Sequence, residues 1–273
     1  MKKEVPTFVK WAGGKKQLLE QFKPFFPEKI ERYFEPFIGG GAVAFYIIKN
    51  YKPNEVYISD TNEELINALN VTKGDVKSLI AELKKLKELH NKDNYYKIRS
   101  EDPTLLSSLT RAARFIYLNK TCFNGLYRVN KKNQFNVPIG SYKNPAVCME
   151  DDLKEISKLL KTATLKVSPF HEATTKAKKG DFIYFDPPYY PLKKSSFTTY
   201  SKDAFLKKEQ EHLAKVFKEL DKKGCKVMLS NSDTKLIKDL YKNYQLDFVE
   251  ARRMINCDAS KRGKINEVVV RNY

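Results

Sequence analysis

The tightest constraint in this chain is a run of three glycines, Gly39-Gly40-Gly41, set between a strand-like segment and a helix-like one. Arg32-Tyr33-Phe34-Glu35-Pro36-Phe37 reads as a strand and Ile38-Gly39-Gly40-Gly41 as a tight turn. Ala42 to Asn50 follows as a helix with Val43, Phe45, Tyr46 and Ile47 as its apolar positions. Glycine has no Cβ, so three in a row let the backbone turn sharply and approach a ligand closely. A second strand, Val56-Tyr57-Ile58-Ser59, ends at Asp60, 19 residues after Gly41. Such a unit belongs to a parallel α/β sheet, and a carboxylate at that spacing suits hydrogen bonds from ribose hydroxyls. The turn is not GxGxxG, which weakens a nicotinamide dinucleotide reading, and a turn that merely packs helix on sheet fits the same residues.

The rest of the chain sorts around this unit. Asn62 is the expected N-cap of a helix over Glu63 to Asn70. From about Val71 to Asn119, Val76, Leu79, Ile80, Leu83, Leu86 and Leu89 recur at helical spacing, and Leu105, Leu109, Ala112, Ala113 and Ile116 do so again. Residues 121–145, with Gly125, Pro138, Gly140 and Pro145, read as an exposed hairpin or ordered loop. The α/β pattern resumes with an apolar strand, Phe182-Ile183-Tyr184-Phe185, ending at Asp186, and a helix over Lys207 to Lys222. A strand at Val227-Met228-Leu229-Ser230, a helix from Thr234 to Tyr244, and strands over Leu246 to Arg253 and Ile265 to Val270 complete it. The expectation is one doubly wound, Rossmann-like α/β domain, residues 1–62 and 151–273, interrupted by a helical and hairpin insertion at 63–150.

Bulk properties narrow the partners. The 41% hydrophobic and 12% aromatic content is too high for a disordered chain. No segment approaches the roughly 18 apolar residues of a membrane span. The opening Met1-Lys2-Lys3-Glu4-Val5-Pro6 leads into no apolar stretch, so a cytoplasmic, nucleoid-associated protein without a secretory signal is expected. Cys122, Cys148, Cys225 and Cys257 form no CxxC, and His90, His171 and His212 stand singly. Neither a disulfide framework nor a metal site is expected. With 51 Lys and Arg against 33 Asp and Glu, the chain carries +18. A polyanion is the natural partner of that charge, although a Lys-rich soluble surface explains it equally well. The Ser260-Lys261-Arg262-Gly263-Lys264 stretch either lines a DNA groove or forms a basic hairpin.

Three further segments carry chemistry. Asp186-Pro187-Pro188-Tyr189 follows an apolar strand, and in open α/β sheets ligands bind beyond the carboxyl ends of strands. An exocyclic aromatic amine is a poor nucleophile because its lone pair is delocalised into the ring. The Asp186 carboxylate and the Pro187 carbonyl can accept both amine hydrogens and aim the lone pair at an electrophilic carbon. The prolines fix the backbone that carries these acceptors, and Tyr189 can stack on a base. A simple Asp-Pro turn is the plainer reading. Lys10-Trp11-Ala12-Gly13-Gly14-Lys15 sets the sole tryptophan between two lysines, fit to wall an adenosine pocket or to form a surface loop. From Asn119 to Lys143, basic, amide and aromatic side chains alternate on a looped ribbon suited to base-edge contacts.

In this order the four segments resemble the Dam family of DNA adenine-N6 methyltransferases, especially those of GATC-recognising restriction–modification systems. The resemblance runs from about Phe8 to the C-terminus. It implies that Trp11, Lys15, Phe37, Gly39, Asp60 and Asp186 bind S-adenosylmethionine. It implies that Asp186, Pro187 and Tyr189 are the catalytic amine-binding and base-stacking residues. By the same resemblance, Lys10 and Arg128 contact guanines of GATC in double-stranded DNA, and Leu126 and Pro138 touch a thymine methyl. Phe123 and Asn124 match a wedge beside an extruded adenine, where other members carry Tyr or Phe. No metal is required, and a cognate restriction endonuclease is an implied partner. Methylation of RNA adenine or of protein glutamine, a silent DNA-binding protein, and a dehydrogenase remain as rivals. Glutamine-modifying enzymes usually carry Asn at the position of Asp186, and nothing in a dehydrogenase explains Asp186-Pro187-Pro188-Tyr189.

Overall fold

The computed structural model describes residues 5–191, 205–252 and 264–273. Residues 260–263 of the basic stretch and Cys257 lie outside them. In chain order the elements are α1 (Leu19–Phe22), β1 (Arg32–Glu35), α2 (Ala42–Tyr51), β2 (Glu55–Asp60), α3 (Glu63–Gly74) and α4 (Val76–Glu88). There follow α5 (Lys92–Ser100), α6 (Ser108–Thr121), α7 (Glu150–Leu159), β3 (Ala163–Val167), α8 (Phe170–Ala173) and β4 (Phe182–Phe185). The chain closes with α9 (Lys207–Lys222), β5 (Lys226–Ser232), α10 (Lys235–Leu240), β6 (Gln245–Arg252) and β7 (Lys264–Arg271).

The strands form one seven-stranded sheet in the order β3-β2-β1-β4-β5-β7-β6. β1 pairs in parallel with both β2 and β4, while β7 runs antiparallel to β5 and β6. This is the Rossmann-like α/β architecture, with the order reversing between β1 and β4. Crevices at such a switch point, beyond the carboxyl ends of the strands, are where these sheets bind ligands. Glu35, Asp60, Asp186 and Ser232 all stand at that edge, each at or just past the end of its strand.

Alternation along the strands builds a core on both faces of the sheet. Tyr33, Phe182, Tyr184 and Met228 join one buried cluster, and Phe34, Ile183, Phe185, Val227 and Leu229 join the other. All four residues of β4 are buried, as a central parallel strand requires. α9 buries Gln210, Leu213, Val216, Phe217 and Leu220, a single stripe at helical spacing. The one polar member of that stripe, Gln210, proves to be part of the site.

The segment between β2 and β3 holds α3 to α7. Asn62 caps α3 by accepting from the Leu65 amide at 3.1 Å. α3 packs on β2 and β3 and also on α6, so it joins the sheet to the helices beyond. Past α6 the chain forms a ribbon pinned by two isolated bridges, Cys122 with Ile139 and Val129 with Phe135. Between 146 and 181 the sequence signals no element, yet α7 and the edge strand β3 lie there. β3 buries little beyond Ala163, so it lacks the apolar run that marks an inner strand. Among the described residues no helix is long and apolar enough to cross a membrane, and Cys122, Cys148 and Cys225 are free thiols.

The glycine turn takes the conformation that requires glycine. Gly41 has φ +77°, and a Cβ there would sit 2.6 Å from the Phe45 ring. Replacing Gly41 by Ala should therefore cost about 1–3 kcal/mol in left-handed strain and ring displacement. Urea denaturation checks this, and a variant with the parent's midpoint would contradict it.

Candidate active site

The first wall of the crevice is made by the ends of β1 and β2. The Gly39 amide donates to Asp60 Oδ2 at 3.3 Å and the Asn62 amide donates to Asp60 Oδ1 at 3.0 Å. Burial raises the Asp60 carboxyl above its usual range, and these backbone amides oppose the shift. Trp11 lies directly on the turn: a Cβ on Gly39 (φ +46°) would fall 2.7 Å from the indole Cδ1. The indole also stacks on Tyr127 at 5.9 Å between ring centroids. Phe37 is half-buried, stacked on Phe170 and edge-on to Phe185. A half-buried carboxylate, a backbone turn without side chains and a flat indole thus share one corner.

The second wall gathers charge. Lys15, only 4% exposed, donates from Nζ to Asp186 Oδ1 at 2.7 Å and to the Gly13 carbonyl at 2.6 Å. Ser230 Oγ donates to the same Asp186 oxygen at 3.1 Å and is itself paired with the Tyr184 hydroxyl. The Lys15 ammonium stands 4.7 Å from the centroid of the Tyr189 ring. The Tyr189 hydroxyl donates to Glu267 Oε2 at 2.6 Å. Burial pushes the Asp186 carboxyl upward, while Lys15, Ser230 and Tyr189 pull it back. An ammonium this buried is tolerable only beside opposite charge, and Asp186 supplies it.

The backbone after Asp186 is held from outside. Gln210 Nε2 donates to the Pro188 carbonyl at 3.0 Å and Asn231 Nδ2 donates to Gln210 Oε1 at 3.0 Å. Ser232 Oγ donates to the Tyr190 carbonyl at 2.6 Å. The tetrapeptide is therefore braced by its own prolines and by amides from α9 and β5. Such a site can hold a planar amine against fixed acceptors.

The third group lies on the ribbon. Arg128 is exposed and its Nε donates to Asn136 Oδ1 at 2.7 Å. Phe123 is 45% exposed, and Asn124, at its side, has φ +55°. Pro138 is exposed, and its carbonyl accepts the Phe123 amide at 2.9 Å. Leu126 is half-buried. Lys10 joins this group from the N-terminal segment: its Nζ stands 3.9 Å from the Tyr142 ring centroid. The buried Asn119 amide clamps Lys10, accepting its N–H at 2.8 Å and donating to its carbonyl at 2.8 Å and to the Gly125 carbonyl at 3.1 Å.

Trp11, Lys15, Gly39, Asp60, Asp186 and Tyr189 thus converge on the carboxyl edge of the sheet. Lys10, Phe123, Asn124, Leu126, Arg128 and Pro138 form a separate group on and beside the ribbon. Sequence reasoning missed Glu35, Glu267, Ser230 and Gln210, and it set Asn119 and Tyr127 on a base-contacting ribbon, whereas Asn119 is buried in the last turn of α6 and Tyr127 stacks on Trp11. Glu35 carried a usable signal, a carboxylate ending β1 as Asp60 ends β2. Gln210 carried another, a polar residue at a core position of α9. Among the described residues no cluster of three or more His, Cys, Asp or Glu side chains is placed to hold a metal ion.

Glu35 gives the site a pH signature. It is 2% exposed and accepts from the Tyr33 hydroxyl at 2.5 Å. Burial lifts its carboxyl well above the ordinary value of 4.5; the Tyr33 bond and Lys15 oppose this, and Asp186 adds to it. The folded chain therefore keeps a proton that the unfolded chain releases, and stability is lost as pH climbs from 4.5 towards the folded value. A Glu35→Gln variant lacks that loss. Its melting temperature should gain on the parent's as pH rises; a gap that stays constant with pH would refute the argument.

Comparison with known proteins accounts for this arrangement. Residues 11–255 match the family described as D12 class N6 adenine-specific DNA methyltransferase. The chain is 45% identical to the type II methyltransferase M.MjaIII of Methanocaldococcus jannaschii, covering 99% of this chain and 100% of that one. It is 43% identical to the type II methyltransferase M1.LlaDCHI of Lactococcus lactis subsp. cremoris, over 97% of this chain and 95% of the other. It is 35% identical to the DNA adenine methylase of Serratia marcescens, over 96% and 97% respectively. On a match that takes in the glycine turn, the braced Asp186 and the ribbon together, the chain belongs to the D12 class of N6 adenine-specific DNA methyltransferases, enzymes that take their methyl group from S-adenosylmethionine.

Proposed function

We propose that the chain methylates adenine N6 within GATC in duplex DNA, as the modification enzyme of a restriction–modification system acting on cytoplasmic, nucleoid DNA. In this reading residues 1–62 and 151–273 form the catalytic domain and 63–150 the target-recognition domain. The observation that carries it is the Asp186 carboxylate, partly open to the crevice and fixed by Lys15 and Ser230 beside a proline-braced backbone and a base-sized aromatic ring.

The residues present fit the methyl donor. Asp60 can exchange its long contact with Gly39 for ribose hydroxyls, and the side-chain-free turn at Gly39 and Gly40 leaves room beside Trp11 for an adenosine. The Asp186 carboxylate at the mouth of the crevice suits a cationic ligand. S-adenosylmethionine supplies, when bound, a methyl carbon on a positively charged sulfur that a nitrogen lone pair can attack.

The chain's own residues do the rest. An amine inside the duplex cannot reach the crevice, so the target base is rotated out of the stack. Phe123 and Asn124, exposed at the ribbon's turn, fill the space it leaves. Asp186 and the Pro187 carbonyl accept the amine hydrogens, and the Tyr189 ring stacks on the base. The carboxylate stabilises the positive charge that grows on the amine, and fixed geometry supplies alignment. Lys10 and Arg128 read guanines while Leu126 and Pro138 touch a thymine methyl. The +18 charge holds phosphates without regard to sequence. Two relatives carrying type II methyltransferase names support the restriction–modification role and a cognate endonuclease as partner.

Plasmid treated with the enzyme and labelled donor, then digested with endonucleases blocked by or dependent on adenine methylation in GATC, tests the reading. Protection at GATC is expected; labelling elsewhere would overturn the site, and no labelling of duplex DNA would overturn the activity. Asp186→Ala should lower methyl transfer by at least about a thousandfold while the chain still melts cooperatively. Lys10→Ala or Arg128→Ala should reduce the preference for GATC over single-base-pair variants by about 1–3 kcal/mol each. Equal losses on every sequence would assign them to phosphate binding instead.

A further inference from the structure

The one strand that runs against the rest of the sheet's inner strands brings an unassigned carboxylate into the site. A parallel strand presents its carboxyl end to the crevice, but β7 is antiparallel to β5 and so presents its beginning. Glu267 lies opposite Ser232, the last residue of β5. From there its Oε2 accepts the Tyr189 hydroxyl at 2.6 Å. Burial raises the Glu267 carboxyl above its usual range, with Lys15 and the Tyr189 bond opposing. None of the roles given so far to Asp186, Pro187 or Tyr189 uses it.

The Tyr189 hydroxyl has two carboxylates within its influence. It bonds to Glu267, and it also helps to pull the Asp186 carboxyl downward. A phenol donates one hydrogen at a time. If that hydrogen went to Asp186, a carboxylate already bound by Lys15 and Ser230 would carry a third donor and accept an amine less readily. Lys15 occupies one face of the same ring, so a base must stack on the opposite face, and the tilt of the ring decides how that face lies.

We infer that Glu267 is a positioning residue for methyl transfer: it takes the Tyr189 hydroxyl for itself, which keeps Asp186 available to the adenine amine and sets the tilt of the stacking ring. This rests on the roles proposed above for Asp186 and Tyr189. It follows that the penalty for losing Glu267 depends on the tyrosine hydroxyl. With an acceptor at 267 the hydroxyl is occupied; without one it turns to Asp186; with no hydroxyl at all, the acceptor is dispensable.

Four variants measured for kcat on duplex DNA, with donor affinity and melting temperature as controls, decide the matter. Glu267→Ala should lower kcat about tenfold with donor affinity changed less than about twofold. Glu267→Gln keeps an accepting oxygen and should recover most of the rate. Tyr189→Phe keeps the ring and sets the reference rate without the hydroxyl. Adding Tyr189→Phe to Glu267→Ala should then bring kcat back up to that reference, a rescue that a merely structural role for Glu267 cannot produce. A double variant no faster than Glu267→Ala alone, or a Glu267→Ala enzyme at the parent's rate, would overturn the inference. Tyr189→Ala tests the stacking reading separately: full activity there would remove base stacking and leave the comparison at Glu267 intact.

Discussion

A single ammonium group, buried at the end of a parallel sheet, organises everything around it. Lys15 is nearly inaccessible, and a charge in that setting must be compensated at close range. Asp186 compensates it, and the pairing opposes the upward push that burial gives its carboxyl. Because Lys15 belongs to a glycine-rich segment with little structure of its own, its partner fixes that segment against the sheet. Trp11 and Lys10 are carried with it. The ion pair therefore settles where the indole lies over the glycine turn and where the neighbouring lysine meets the ribbon. Removing the charge at either end leaves the other buried and unpaired, which typically costs several kcal/mol.

Sheet topology explains why so many acids gather near one base. The parallel strands β1, β2 and β4 end on Glu35, Asp60 and the bond before Asp186, all at one edge. β7 adds Glu267 by running the other way. Glu35 meets this crowding with a carboxyl raised well above its usual range, Asp186 by pairing with Lys15, and Glu267 by accepting from a phenol. The outcome is a pocket with negative bias but without repulsion severe enough to unfold it. A reaction that moves positive charge from sulfur to nitrogen proceeds well in such a field.

What could be read in the sequence follows from how local each signal is. Gly39, Asp60 and Asp186 were visible because each sits where an apolar run stops, and strand ends are local patterns. Lys15 and Trp11 have no periodicity to betray them; the sole tryptophan between lysines in a glycine-rich segment suggests an adenosine pocket or a surface loop, and the likeness to a known segment favours the pocket. The edge strand β3 buries too little for its residues to alternate visibly, and α7, just before it, was passed over as well. Glu267 was beyond reach for another reason. Its relevance depends on the order and direction of strands far apart in the chain, and no property of Lys264–Arg271 taken alone encodes that. Gln210 and Asn119 lie between these cases, polar residues at buried helix positions whose partners are set by tertiary contacts.

The Asn119 clamp and the Trp11–Tyr127 stack make the first loop of the chain a shared lever. Lys10 and Trp11 are consecutive, so one peptide bond separates the side chain on the ribbon from the ring on the glycine turn. The end of α6 and the ribbon grip both: Asn119 of α6 bonds Lys10 and the Gly125 carbonyl, and Tyr127 of the ribbon stacks on Trp11. A shift of this segment's backbone carries the indole and the lysine together, and their contacts with Tyr127 and Asn119 tie that shift to the neighbouring ribbon and α6. Any free energy by which one ligand's seating favours the other's must be returned in equal measure in the opposite direction.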